Sequence, residues 1–177
     1  TAEDLAAWSR SWVAEAGRPI VTTELRVDNG HIANLSFVQR DPFERRGLTW
    51  NQRLEVTLGL PDGLRTLPVR IAATRVEVPD ARGLPAPRFV LPSGGGIGYA
   101  GFELDTASLD YLLAHLPDVD DPLTRGAAWI TLWEQMLDRR APASDIVELA
   151  LRALPRETDE QNVQRILGDA RQAYWTF

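Results

Sequence analysis

The sequence predicts an α+β protein in two segments, a small antiparallel β-sandwich followed by an array of α-helices. Three observations predict it. Apolar residues between positions 20 and 102 recur with period two, the signature of half-buried strands. After Asp105 the spacing becomes i, i+3, i+4, i+7, the signature of amphipathic helices. The change of period falls on RFVLPSGGGIGYAGFELD, residues 88–105, which reads as strand, glycine turn, strand and a capping aspartate. A glycine-rich loop can cradle phosphate, but then it must open directly into a helix whose backbone N–H groups meet the anion. Here Gly94-Gly95-Gly96 runs into the strand-like Ile97–Phe102, so a turn between two strands is expected.

Bulk composition narrows the class. The chain has 177 residues, 44% apolar and 25% charged, and should bury on the order of 70% of its unfolded surface. Its net charge of −6 argues against a nucleic-acid partner, which needs clustered cations. All 19 basic residues are arginine, which we read with the many alanines as genomic composition. With no cysteine there is no disulfide, thiolate zinc site or cysteine nucleophile. No apolar run approaches the roughly 20 residues of a membrane helix and no signal peptide is visible. The chain opens inside a helix pattern without a methionine, so a piece of a longer polypeptide is expected. Its compartment stays open, with cytoplasmic favoured over secreted.

The elements follow in order. Thr1–Asp4 carries a capping hydroxyl and two acids, and Leu5, Trp8, Trp12 and Ala16 share one helix face. Gly17 suits the left-handed residue after that helix and Pro19 stops it. A helix this short is marginal alone and must dock on something. Val21, Thr23, Leu25 and Val27 then alternate up to Asn29-Gly30, the strongest short hairpin signal, with Leu35 and Phe37 inward on the return strand. Further strand-like runs are Leu54/Val56/Leu58, Leu67/Val69/Ile71, Val76/Val78, Phe89/Leu91 and Gly98–Phe102, separated by Pro- and Gly-bearing turns. Residues 40–51 lack a period and read as a long loop with Phe43 and Trp50 as anchors. Four helical stripes follow, carried by Leu109/Leu112/Leu116, Trp129/Leu132/Met136, Ile146/Leu149/Ala153 and Val163/Ile166/Ala170. Prolines mark the breaks, and Thr158 with Gln161 reads as a capping box for the last helix. Four short-looped antiparallel helices suggest the start of a HEAT/armadillo-like array, and Leu167, Tyr174, Trp175 and Phe177 leave its last helix apolar.

Residues that could carry chemistry read as structural. His31 sits beside a hairpin turn and His115 near a helix C-terminus, each without a partner at metal-binding spacing. Asp118, Asp120 and Asp121 lack the EF-hand glycine and terminal glutamate and read as a solvated helix start. Ser93 has no G-x-S-x-G elbow. Trp129 and Trp133 fit a core stripe better than a stacking platform, and Glu103 and Asp105 fit a capped strand–helix turn. No catalytic, cofactor-binding or metal-ligating residue is assigned in this chain.

The order of elements nonetheless resembles a known family. DLAAWSRSWVAEAGRPIVTTEL, residues 4–25, is similar to the end of the catalytic domain in zinc aminopeptidases of the aminopeptidase N type. There a helix ending in Trp-x-x-x-x-Gly-x-Pro leads into a sandwich, matched here by Trp12, Gly17 and Pro19. FVLPSGGGIGYAGFELD resembles that family's last sandwich strands, with Ser93 where asparagine is usual. Residues 121–167 look like the opening of its helical C-terminal domain, through Arg125, Trp129, Trp133 and Glu157.

The resemblance implies three parts: residues 1–17 closing a catalytic domain, 18–104 the sandwich, and 105–177 the start of the helical domain. It implies a non-catalytic region of a zinc aminopeptidase that removes N-terminal residues from peptides, giving scaffold and control of substrate access. Zinc and the H-E-x-x-H helix that holds it would belong to the full-length enzyme, and the partners would be the missing catalytic domain and peptide substrates. The alternative is a free-standing module that binds a protein or peptide on the concave face of its helices. An isolated chain is expected to hide its exposed helical face by self-association.

Overall fold

In a computed structural model, residues 5–43 and 46–177 are described, and the expected cap at Thr1–Asp4 lies outside them. The N-terminal helix is shorter than its stripe predicts. α1 (Leu5–Ser9) widens into a π-helical turn, Arg10–Ala14, closed by Glu15 N–H donating to Arg10 O at 3.1 Å. Gly17 then takes φ +103°, as the stop signal requires.

Seven strands follow: β1 (Ile20–Asp28), β2 (His31–Arg40), β3 (Gln52–Leu60), β4 (Gly63–Ile71), β5 (Arg75–Glu77), β6 (Phe89–Leu91) and β7 (Gly101–Glu103), the last starting three residues later than the expected Gly98–Phe102, because Gly98 takes φ +145° and residues 97–100 continue the turn. They form two sheets, ordered β5-β2-β1-β7 and β4-β3-β6. Asn29 (φ 48°) and Gly30 (φ 73°) make the tight β1–β2 turn, because both positions need the left-handed region. The sandwich is not wholly antiparallel: β7 pairs parallel with β1, Ile20 opposite Gly101 and Thr22 opposite Glu103. The chain reaches that edge by crossing from β6 in the other sheet, and a crossover between sheets leaves strand direction free.

Edge strand β4 carries Pro68 opposite Glu55. Counting from the Leu60–Gly63 pair that closes the hairpin, residue 68 has its nitrogen pointing off the sheet, where a missing N–H costs no ladder bond. It also denies that edge one donor for strand addition.

The sheets enclose Val21, Ile32, Leu35 and Phe37 from one side and Leu54, Val56, Leu58 and Val90 from the other. In the loop before β3, Trp50 is the anchor, 1% exposed, while Phe43 is 53% exposed. Phe43 instead serves as a platform for the Arg46 guanidinium, 4.4 Å above its ring.

Four helices complete the chain: α2 (Thr106–His115), α3 (Pro122–Leu137), α4 (Ala143–Ala153) and α5 (Glu160–Thr176). Asp105 caps α2 by accepting from Ser108 N–H, and Asp121 caps α3 by accepting from Thr124 N–H. The cap of α5 is Asp159, which accepts from the N–H groups of Gln161 and Asn162. It displaces the expected Thr158 box by one residue, because Thr158 N–H is taken by Glu157. The helices pack on one core that also takes Phe89, Leu91 and Leu104 from the strand region. On β6, neighbouring side chains therefore serve opposite cores, Val90 the sandwich and Phe89 and Leu91 the helices.

That shared strand makes Gly59 a sensitive position. A β-carbon there would overlap the ring of Phe89, which in turn stacks on Tyr111 of α2 at 5.8 Å. Gly59→Ala is expected to cost about 1–3 kcal/mol, read as a lowered urea midpoint. A change within ~0.5 kcal/mol would show that the ring moves aside freely.

Candidate functional site at the joint of sandwich and helices

The polar side chains that the fold gathers most tightly lie where strands hand over to helices. Glu103 on β7 accepts from Thr22 Oγ1 at 2.6 Å and from Arg40 at 2.8 Å, and Arg140 stands at 3.5 Å. Burial alone would raise the Glu103 pKa, but the Thr22 and Arg40 hydrogen bonds and two guanidinium charges outweigh it and hold the group below its usual range. Arg140 donates to Leu104 O at 2.7 Å, and Gln135 on α3 donates to Phe102 O. These bonds satisfy one carbonyl of β7 and one just past its end, where the sheet ladder stops.

Arg18, directly before the proline that precedes β1, crosses to α3 and meets Glu134 at 2.6 Å, with a second bond to Ala100 O at 3.3 Å. The pair spans a groove of about 190 Å³ between the glycine loop and α3, lined by Tyr99, Phe102, Ala127 and Ile130. Ser93 faces this groove and its Oγ lies 3.0 Å from Thr131 Oγ1. Ser93 lies in the turn after β6, as its place in the sequence suggests.

A second polar centre joins α3 to the α4–α5 loop. Arg125 forks onto Glu157, Nε to Oε2 at 2.8 Å and Nη2 to Oε1 at 2.6 Å. Arg125 Nη1 also donates to the carbonyls of Val119 and Asp120, both at 2.8 Å. Glu157 further accepts from Thr158 N–H, Asp159 N–H and Asn162 Nδ2. Principally through the Arg125 hydrogen bond, its pKa falls to about 2, burial opposing.

A depressed carboxylate stabilises the fold above its unfolded value and loses that contribution as pH falls through the folded value. The Glu157 carboxylate should therefore contribute on the order of 3 kcal/mol at neutral pH, lost between about pH 5 and pH 2. Urea midpoints measured down that range should fall less steeply for Glu157→Gln than for the parent chain. Parallel curves would show that Glu157 carries no such linkage.

The residues singled out in the sequence scatter. His31 Nδ1 lies 2.9 Å from Asn29 O in its turn, and His115 Nδ1 lies 3.3 Å from Asp118. Asp118 also pairs with Arg156 at 2.7 Å, and Asp121 is spent on its cap. Among the described residues no three His, Cys, Asp or Glu side chains gather as a metal site. Trp129 is buried and donates Nε1–H to Asp169 at 2.9 Å, while Trp133 is half-buried against the same core. The Arg18–Glu134 bond, 116 residues apart in the chain, has no sequence signal. The Arg125–Glu157 pair was visible only as a shared residue pattern.

Among the described residues no helix is long and apolar enough to cross a membrane. No known family model matches the chain. It is similar to aminopeptidase N of Streptomyces lividans, 27% identical over 176 residues that cover 92% of this chain and 20% of that protein. The chain thus spans about a fifth of the length of that relative, and the similarity is to a part of an aminopeptidase.

Proposed function

We propose that this chain is the sandwich and helical region of a zinc aminopeptidase acting on peptide N-termini, where it supplies scaffold and controls substrate access. One observation carries the reading: the match to an aminopeptidase runs through nearly all of this chain and a fifth of the relative. The three stretches of resemblance occur in the same order along it. Zinc does not fit the residues present, since His31 opens β2 and His115 ends α2, each bonded locally. The metal and its general base would then lie in a catalytic domain outside these residues, with α1 as its closing helix.

On this reading the four helices begin a HEAT/armadillo-like array. Leu167 and Tyr174 on α5 and Phe177 just after it, each more than half exposed, are where the next helices would pack. The coding sequence upstream of Thr1 tests the proposal. An H-E-x-x-H helix with a later glutamate is expected there, and an upstream region without one overturns it. In parallel, the 177-residue chain incubated with zinc should leave an aminoacyl-4-nitroanilide uncleaved. Turnover by the chain alone would place chemistry in these residues and overturn the scaffold reading.

A further inference from the structure

The Asn29-Gly30 turn brings together an electrophile and a nucleophile. The amide carbon of an asparagine, Cγ, lies within ring-closing reach of the next backbone nitrogen, and a glycine there has no side chain to obstruct the approach. Both residues are exposed here, and a β-carbon placed on Gly30 would meet nothing within 4 Å. Among the described residues the Asn29 side chain has no hydrogen-bond partner to fix its amide. His31 supplies the third group. Its Nδ1 lies 2.9 Å from Asn29 O, and since a carbonyl can only accept, the ring nitrogen donates. That bond draws electron density from the Asn29–Gly30 peptide and favours loss of the Gly30 N–H proton, which must leave before the nitrogen can attack.

Ring closure requires rotation about ψ of Asn29, and the hairpin holds only one side of that bond. Asn29 O and Gly30 N belong to one planar peptide unit. Its Gly30 side is tied down: Ala86 N–H donates to Gly30 O and Ile32 N–H to Leu84 O, both at 2.8 Å. The Asn29 side is loose. The β1–β2 register shifts between Arg26 and Val27, which leaves the Val27–Ile32 and Asp28–His31 pairs beyond the irregularity, and Val27 is 44% exposed. Those two pairs can open locally without unpacking the sandwich. The peptide plane and its His31 bond then stay in place while the Asn29 side chain swings to the Gly30 nitrogen.

We infer that Asn29 is a self-modification site, where the folded chain converts its own asparagine to aspartate and isoaspartate with His31 as the positioning residue. The Gly30 nitrogen gives up its proton and bonds to Asn29 Cγ, the Cγ–Nδ2 bond breaks, and Nδ2 takes up a proton and leaves as ammonia. Water then opens the cyclic imide, at Cγ to give aspartate or at the Asn29 backbone carbonyl carbon to give isoaspartate. Either product places a new carboxylate beside Asp28. Isoaspartate also lengthens the backbone of a two-residue turn, which then no longer matches the Asp28–His31 pair.

Incubating the folded 177-residue chain in warm neutral buffer tests the inference. Trypsin then releases residues 27–40 as one peptide, because Arg26 and Arg40 bound it, and mass spectrometry with chromatography resolves its asparagine, aspartate and isoaspartate forms. Progressive conversion at Asn29 is expected. His31→Phe keeps a ring and loses the donor, and should slow conversion about three- to tenfold, the factor that one hydrogen bond supplies. A merely structural loss would loosen the tip and raise the rate, so the sign separates the two roles. His31→Asn, whose Nδ2 can stand in for the imidazole Nδ1, should recover part of the rate. In urea the three chains should convert alike. A folded chain that keeps Asn29 intact while the unfolded chain loses it would show the turn to be protective and overturn the inference. Equal folded-state rates for the parent and His31→Phe would overturn it as well.

Discussion

Arg125→Ala should remove about 3–5 kcal/mol of stability, the cost of stranding a buried charge. The side chains of Arg125 and Glu157 are 14% and 3% exposed, so neither is solvated enough to tolerate losing the other. Removing the guanidinium also frees the carbonyls of Val119 and Asp120, which close the turn before α3. Urea unfolding followed by tryptophan fluorescence reads the loss. Arg125→Lys should recover only part of it, because an ammonium cannot make the forked contact and both carbonyl bonds. A loss below ~1 kcal/mol would reduce the pair to an ordinary surface bridge.

Trp129→Ala should be of similar size, about 3–5 kcal/mol, for a different reason. Trp129 is 2% exposed in the helical core, and its truncation leaves a cavity between α3 and α5. It also removes the indole N–H that α3 donates to Asp169, a residue 9% exposed. Trp129→Phe separates the two contributions, since it keeps most of the volume and loses the N–H, with an expected cost of about 1–3 kcal/mol. Equal melting temperatures for the phenylalanine variant and the parent would show that Asp169 finds solvent or another donor.

How far the sequence reaches can be judged from these same elements. The seven strands and four of the helices were legible because period-two and period-3.6 burial act locally, Asn29-Gly30 punctuates through backbone geometry, and Asp105 through a side-chain cap three residues from its partner. Three things were not. The parallel pairing of β7 with β1 depends on a crossover between sheets, which no local spacing encodes. The division of β6 between two cores depends on which layer covers its outer face. Arg18 found Glu134 only because Gly101 N–H bonds to Pro19 O and draws the start of β1 alongside α3. Of the candidate chemistry, the structural readings of Ser93 and Trp129 agree with their surroundings, whereas the polar joint around Glu103 could be read only as a cap.

The β7 edge also has a temporal side. During synthesis β1 is complete at Asp28, but the strand that covers its outer edge begins at Gly101. At about 5–20 residues per second, the ribosome takes roughly 4–15 s to deliver that cover. Throughout that interval the β1–β2 hairpin can form and close its turn, yet the outer edge of β1 at Ile20–Thr22, which β7 will cover, stays unpaired beside every other nascent chain. The parallel strand is thus the latch of the sandwich, and the last to arrive.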